Sequence, residues 1–486
     1  MDQYPTLCVT VTAPTMAELC RLRDQCPAGA LVELRLDSVD RPDVAGALAG
    51  RRHAVLVTCR PTWEGGAFGG AEEDRLRLLE AAIEAGADYV DVEWRALTPA
   101  FAGGRGRDRL VVSMHDFEGV PADLATRMAA MSATGAAVVK VAVTARRLTD
   151  GLALPPLVRE RRGPTVAVAM GEAGLASRVL AARFGSVWTY ASMGAPVAPG
   201  QPSLRRLLDE YRYGRVGPGT AVYGVVGRPV AHSLSPAMHN AAFAAAGRDA
   251  VYLPLAAADF DDFIAFAEAL GLEGASVTAP FKRDAFRLAT TVDDDGRRAG
   301  AINTIKRTAA GWTGRNTDVA GFLAPLEGRV NLAETRVTVL GAGGAARGVV
   351  TGLLSRGARV TVVARREAQA RDVAADTGAS SVAWPPAAAS WDVLVNGTPV
   401  GTAPALDQSP LPADRLDGRL VYDLVYNPPV TRLLAEARAR GLDTIGGLDM
   451  LVAQAVEQSA WWTGHRPETS LLRDAAIARL QEDTLS

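Results

Sequence analysis

The chain has 486 residues, 48% hydrophobic and 22% charged, with 52 basic side chains against 54 acidic ones. That length exceeds one ordinary domain, so two or three are expected, each with ample core. The near balance of charge gives no electrostatic case for nucleic acid or an anionic membrane surface, and no apolar run reaches the ~18 residues that a membrane span needs.

The opening residues, Met1-Asp2-Gln3-Tyr4-Pro5-Thr6, lack the basic and apolar stretches of a secretory leader. Cys8, Cys20, Cys26 and Cys59 lack metal-type CxxC spacing and read as free thiols of a reducing cytoplasm. Apolar segments then recur at 7–13, 30–37, 54–60, 87–94, 110–116, 136–143, 165–170 and 186–192. Most are separated by stretches long enough for a helix, and their continuous Val/Ile/Leu character fits parallel strands buried on both faces. Eight β/α units without a ninth predict a closed (β/α)8 barrel.

Polar residues cluster inside these segments or at their C-terminal ends: Glu33 and Arg35, Arg60, Glu93, His115, Lys140, Glu172 and Ser192. In a barrel those ends converge on one face, where active sites sit. Lys140 interrupts an otherwise apolar strand. Removed from water, an ammonium loses its proton more easily, and the free amine can attack a carbonyl to form a Schiff base. His115, one strand earlier, is the candidate acid/base group. Arg35, Arg60 and Arg178 would line the site for a carboxylate. Taken singly, each arginine reads equally well as a surface ion pair, and Lys140 as an edge-strand lysine reaching solvent.

Five stretches occur in order across residues 5–213: Glu33-Leu34-Arg35-Leu36-Asp37, Thr58-Cys59-Arg60 with Glu64-Gly65-Gly66, Ser113-Met114-His115-Asp116-Phe117, Val139-Lys140-Val141 and Ala198-Pro199-Gly200-Gln201. As a set they resemble type I 3-dehydroquinate dehydratase. The resemblance implies that Lys140 forms an imine with the substrate's C3 ketone, that His115 moves protons and that Glu64 holds the histidine. Glu33, Arg35, Arg60, Arg178 and Gln201 would bind the carboxylate and hydroxyls. Val197 stands where the family usually has serine, a lost hydroxyl that Ser192 or a main-chain group would have to replace.

A predicted helix, 204–213, ends at Gly214-Arg215-Val216-Gly217-Pro218-Gly219, which cannot continue a helix and reads as a linker over 214–220 with freedom to reorient. Beyond it a strand at 221–227 leads to Ser233 and Ser235-Pro236. A helix should start there with serine at N-cap and proline at N1, offering hydroxyls and free N–H groups to a carboxylate. Plain capping would look the same. Thr278 and Lys282, Asn303, then Asn316 and Asp318 follow successive strands, a set suited to a polyol or hydroxy acid. The strand 335–340 runs into Gly341-Ala342-Gly343-Gly344-Ala345-Ala346, a G-x-G-x-x-A turn in the strand–turn–helix context of a dinucleotide site. The next strand ends in Ala364-Arg365-Arg366, with no acidic residue for a ribose hydroxyl, which favours NADP over NAD.

Together with Asn396-Gly397-Thr398-Pro399, Asp423 to Tyr426 and Met450 to Gln454, these motifs resemble shikimate dehydrogenase across essentially all of residues 221–486. The resemblance implies that Ser233, Ser235, Thr278, Asn303, Asp318, Tyr426 and Gln454 bind substrate, with Lys282 and Asp318 as the catalytic pair. Gly341, Gly343, Gly344, Ala345, Ala364, Arg365, Arg366, Asn396 and Thr398 would hold NADP. The expected domains are a barrel at 1–213, a substrate lobe at 221–322 to which 451–486 returns, and a Rossmann-type NADP lobe at 323–450. The chain would then convert 3-dehydroquinate to 3-dehydroshikimate and reduce that to shikimate. The expectation carries no metal, nucleic-acid, membrane or obligate protein partner, and a cytoplasmic site. Two other readings stay open: a dehydrogenase half that prefers quinate, and a sensor or scaffold that kept both folds without their chemistry. The sensor reading is disfavoured by the presence of Lys140, His115, Lys282 and Asp318.

Overall fold

Eight strands, β1 (Thr6–Val11), β2 (Leu31–Arg35), β3 (Ala54–Thr58), β4 (Tyr89–Glu93), β5 (Leu110–Asp116), β6 (Val138–Thr144), β7 (Thr165–Met170) and β8 (Trp188–Met193), form one sheet in the order β7-β6-β5-β4-β3-β2-β1-β8. Every pairing recorded in it is parallel. The computed structural model describes residues 6–99, 101, 106–161 and 163–485; residues 1–5, read above for a leader, lie outside them. The β7–β8 seam that completes the barrel is made differently from the ladders. Val187 N–H donates to Thr165 O at 2.9 Å, while Ser186 Oγ and Ser177 Oγ accept the Ala167 and Ala169 N–H groups of β7, each at 2.9 Å. Buried amides need partners, and here side chains supply them.

Side chains alternate across a strand with period two, and that rule builds the barrel interior in layers. Cys8, Leu31, Leu56, Val111, Val138, Val166 and Trp188 belong to one buried apolar cluster. Two residues further along the same strands come Thr10, Glu33, Thr58, Ser113, Lys140, Val168 and Tyr190, all buried. The apolar floor and the polar layer above it are therefore consecutive same-face positions of the same strands.

The chain divides into two units. One comprises residues 1–222, 229–231 and 249–271, and the other residues 223–228, 232–248 and 272–486. The first thus includes strand β10 (Ala250–Ala256) and the helix Phe260–Leu270 as well as the barrel. Asp262, on that helix and fully buried, accepts the N–H of Leu148 and of Thr149, each at 3.0 Å, and the Thr149 hydroxyl at 2.8 Å. These bonds cap the turn Leu148–Ala153 that follows β6. The predicted helix at 204–213 is shorter than expected: a π-helical turn, Arg206–Glu210, ends it, and Arg212 turns the chain with φ +52°. The glycine-rich segment after it is held rather than loose. Val216 is buried, and Thr220 Oγ1 accepts from Gly217 N–H at 2.8 Å and donates to Asp249 at 2.6 Å.

In the second unit the greater part of β9 (Ala221–Gly227), from Tyr223 on, and β11 (Gly274–Val277), β13 (Thr304–Thr308), β14 (Gly311–Arg315) and β12 (Thr291–Val292) are successive neighbours in a mixed sheet. A second sheet is wholly parallel, with β15 (Arg336–Leu340), β16 (Arg359–Val363), β17 (Ser380–Val382), β18 (Val393–Asn396), β19 (Leu420–Asp423) and β20 (Asp443–Ile445) in the order β17-β16-β15-β18-β19-β20. This is the doubly wound dinucleotide-binding order, whose ligand crevice lies where the order reverses, between β15 and β18.

Candidate active sites

A cleft at the C-terminal ends of the barrel strands is lined by Glu33, Arg35, Arg60, Glu64, His115, Lys140, Arg178, Val197 and Gln201 among others. It gathers all eight barrel residues assigned from the sequence. Lys140 is 6% exposed, its Nζ 3.2 Å from Asp91 Oδ2, 3.9 Å from Glu33 Oε1 and 4.4 Å from the centre of the Tyr190 ring. Glu33 is fixed by the hydroxyls of Thr10 (2.7 Å) and Thr58 (2.9 Å). Gln201 donates to the same Thr10 hydroxyl at 3.2 Å and accepts the Val197 N–H at 3.1 Å.

Arg60 reaches Asp91 (2.9 Å), Glu93 (2.6 Å) and Ser113 (2.9 Å), and Arg75 closes the network on Glu93 at 2.6 Å. Arg35 is committed to Asp37 by a two-point ion pair of 2.9 and 2.7 Å. Arg178 differs. It is 2% exposed, one terminal nitrogen donates to the Pro199 carbonyl oxygen at 3.5 Å, its Nε has no hydrogen-bond partner among the described residues, and burial lowers its pKa to about 10. A buried guanidinium with no carboxylate partner among the described residues is costly and is a ready receptor for a carboxylate.

Glu64 is placed by a turn that demands glycine. Gly65 has φ +76°, and a Cβ on Gly66 would lie 2.0 Å from the Arg60 carbonyl oxygen. Glu64 Oε1 accepts the His115 backbone N–H at 2.6 Å and stands 3.2 Å from His115 Nδ1. Burial, with the charges of Arg60 and Lys140, lowers the pKa of His115 well below its ordinary value. Burial raises that of Glu64 to about 7, against the pull of Arg60. With Nδ1–H given to Glu64, Nε2 of a neutral His115 keeps its lone pair and can take a proton.

Sequence reasoning gave no role to Thr58 and Ser113, which lie in the quoted motifs, and missed Asp91, Thr10 and Arg75. For Asp91 a signal was available: it stands two residues before Glu93 on β4, and hence on the same face. Val197 borders the cleft, whereas Ser192 is buried and is not among the residues lining it. Near the vacated position the structure offers the Val197 N–H, already bound to Gln201.

The second unit holds the other constellation. Lys282 Nζ donates to Asp318 Oδ2 at 2.6 Å, and Asn303 Nδ2 donates to Asp318 Oδ1 at 2.7 Å and to Gln454 Oε1 at 3.1 Å. Asp318 is set by its position in the first turn of the helix Thr317–Leu323, capped by Asn316. The helix Ser235–Ala245 begins one residue earlier than expected. Leu234 is its N-cap and Ser235 its first residue, while Ser233 Oγ accepts the Ser235 N–H at 3.3 Å. Thr278 follows β11, half-buried, and Tyr426 packs beside the apolar cluster of Leu234, Met238 and Val452.

At the switch point, Gly341 has φ +106°, and a Cβ there would meet the Gly397 carbonyl oxygen at 3.0 Å. Gly343, Gly344 and Ala345 are exposed where the helix Gly344–Ser355 begins, an open cradle of N–H groups for a pyrophosphate. Arg365 and Arg366 are exposed just past β16, as a ribose phosphate would need, and Ala364 beside them is buried. Asn396 is fully buried, with its amide bound to Asp423 (2.9 Å) and to the Thr398 N–H (3.0 Å), so it shapes the turn that presents Thr398. These residues fit a dinucleotide phosphorylated on its adenosine ribose.

A barrel with a buried lysine and a neutral histidine in its mouth, joined in one chain to a doubly wound dinucleotide-binding fold, defines a two-activity enzyme of lyase and oxidoreductase type. Comparison with known proteins agrees. Type I 3-dehydroquinase matches residues 7–217, the shikimate dehydrogenase substrate-binding domain 225–305, and the shikimate 5'-dehydrogenase C-terminal domain 447–477. The chloroplastic bifunctional 3-dehydroquinate dehydratase/shikimate dehydrogenase of Arabidopsis thaliana is 34% identical over 469 residues, covering 89% of this chain and 77% of its own. An NADP(+) shikimate dehydrogenase of Acidiphilium cryptum is 45% identical over 254 residues, 50% of this chain and 91% of its own. A shikimate dehydrogenase crystallised with NADP+ superposes with a TM-score of 0.51 at 33% identity, over 54% of this chain and 96% of that one. The chain belongs to the bifunctional 3-dehydroquinate dehydratase/shikimate dehydrogenase family.

Proposed function

We propose that the barrel dehydrates 3-dehydroquinate through an imine on Lys140, and that the second unit reduces the product, 3-dehydroshikimate, to shikimate with NADPH. The carrying observation is the enclosure of Lys140 in one cleft with His115 and with Arg178, which has no carboxylate partner among the described residues. Lys140 adds to the C3 ketone and water leaves; the iminium then draws electrons, so the C2 proton becomes removable. His115 takes that proton at Nε2 and returns a proton to the C1 hydroxyl as it departs as water, with Glu64 holding the imidazole through Nδ1. Water then adds at C3 of the iminium and the C–N bond breaks, which restores the ketone and frees the Lys140 amine. Arg178 receives the carboxylate, and Glu33, Arg35, Arg60 and Gln201 order the hydroxyls.

In the second unit Ser233, Ser235, Thr278, Tyr426 and Gln454 hold the substrate. Lys282 gives a proton to the oxygen of the reduced carbonyl, and Asp318 orients Lys282 through the 2.6 Å bond. NADPH, when bound, supplies the hydride. Gly341, Gly343, Gly344 and Ala345 cradle its pyrophosphate, Thr398 flanks it, and Arg365 and Arg366 bind the ribose phosphate. The residue ranges 1–213, 221–322 with 451–486, and 323–450 are the corresponding functional segments. Among the described residues no helix is long and apolar enough to cross a membrane. The four cysteines are free thiols, which supports a cytoplasmic location. The test of the barrel reading is borohydride reduction in the presence of 3-dehydroquinate followed by mass spectrometry. A stable adduct on Lys140 is expected, and its absence with substrate bound would refute the imine.

A further inference from the structure

Behind the Lys282–Asp318 pair, a line of buried hydrogen bonds runs back into the second unit to a histidine with no role so far. His239, in the helix Ser235–Ala245, is fully buried. Its Nε2 lies 3.2 Å from Gln458 Oε1 and its Nδ1 3.0 Å from Ser459 Oγ, both on the helix Gly447–Thr463. Gln458, also fully buried, extends Nε2 to Thr304 Oγ1 at 3.0 Å, and Thr304 Oγ1 lies 3.0 Å from Asn303 Oδ1. Asn303 then donates to Asp318, whose other oxygen holds Lys282.

Elementary chemistry fixes the direction of each bond. The Thr317 backbone N–H can only donate, and it sits 2.8 Å from Asn303 Oδ1, so that atom is the oxygen and the amide nitrogen faces Asp318. The Thr304 hydroxyl therefore donates toward Asn303 Oδ1, either directly or by way of Thr317 Oγ1, which is 3.0 Å from it and 3.1 Å from the same oxygen. It is then an acceptor for Gln458 Nε2. Gln458 Oε1 in turn accepts from Ser276 Oγ at 2.9 Å and from His239 Nε2–H. Burial lowers the pKa of His239 to about 4, so its imidazole is neutral and Nδ1 accepts from Ser459. From His239 to Asp318, successive donors point the same way, and such chains polarise one another cooperatively. Apolar side chains filling the same space would avoid the desolvation that these groups cost.

We infer that Thr304 and Gln458 are positioning residues for the reduction: acting through Asn303 they fix the Asp318 carboxylate, and through it the Nζ of Lys282. The inference rests on the reading of Lys282 and Asp318 as the catalytic pair. In the full-length protein, Thr304→Val keeps the shape of the side chain and removes the link. It is expected to lower kcat for 3-dehydroshikimate reduction about tenfold, the effect of one lost hydrogen bond to a polar network. KM for NADPH should stay within about twofold, which also reports that the unit is folded. Thr304→Ser restores the hydroxyl and should restore kcat to within about threefold. Gln458→Met cuts the line one link further back and should give a smaller loss in the same direction. An unchanged kcat in Thr304→Val and Gln458→Met overturns the inference, as does a Thr304→Ser variant as impaired as Thr304→Val. Lys282→Met separates the two readings. If it still reduces substrate, the catalytic pair itself is wrong; if it is inactive while Thr304→Val is unaffected, only the positioning role fails.

Discussion

Lys140 Nζ and Asp91 Oδ2 are 3.2 Å apart, and the second oxygen of Asp91 is 2.9 Å from Arg60, so the buried lysine and arginine of the barrel cleft share one fully buried counter-ion. Burial works against charge on Asp91, but Arg60 and Lys140 outweigh it and hold its carboxyl well below the usual range. Asp91→Asn keeps the shape and leaves two buried cations under-compensated. We expect a loss of about 3 kcal/mol, the scale for breaking a buried ion pair from one side. Urea unfolding followed by dehydratase activity measures it. An unchanged midpoint would mean that the network contributes nothing to the fold.

Glu64 predicts a dependence on pH. Its folded pKa, about 7, lies above the ordinary value of 4.5. The folded state therefore binds this proton more tightly than the unfolded state, and the contribution to stability is complete below pH ~4.5 and lost as pH rises through ~7. Over that window the loss is about 1.4 kcal/mol per pH unit. Glu64→Gln carries no such term, so its Tm relative to the unaltered protein should improve between pH 5 and pH 8. A Tm difference that is flat across this range would rule out a raised Glu64. The dehydratase pH–rate profile of the same variant should lose its midpoint near 7.

Arg365 and Arg366 should discriminate between cofactors. Each is exposed past β16 and neither reads as part of the core. Replacing both with alanine should raise KM for NADPH about 10- to 100-fold, as expected for lost charge-assisted bonds, with little change in KM for NADH. Steady-state kinetics with the two cofactors checks this. A parallel rise for both would place the arginines on the shared part of the nucleotide.

The barrel strands were legible to within about two residues, because parallel strands buried on both faces are apolar runs and polar interruptions in such runs are rare. Lys140 and His115 were visible for that reason, and the glycine-rich turn after β15 by its G-x-G-x-x-A spacing at the end of a strand. For Asp91 the sequence offers only the period-two signal of its place before Glu93; its partner is set by cross-strand register, which places it against Val111 on β5 and within reach of Lys140 on β6. A single sequence does not display register. Asn396 illustrates the converse. Its motif was recognised, but burial commits its amide to Asp423 and the Thr398 turn. The joint at 214–219 was read from glycine and proline content alone, which does not reveal that Val216 is buried and Thr220 bound to Asp249.

The carboxylate of Asp262 bears on how this enzyme can be dissected. It caps the turn that follows the Lys140 strand, yet it lies some forty residues beyond the motif boundary at Gly214–Gly219. A truncation at that boundary would produce a dehydratase lacking part of its own scaffold, with two backbone amides and the Thr149 hydroxyl stripped of their acceptor. The glycine-rich joint read from the sequence is not where the first folded unit ends, because that unit also takes in residues 249–271.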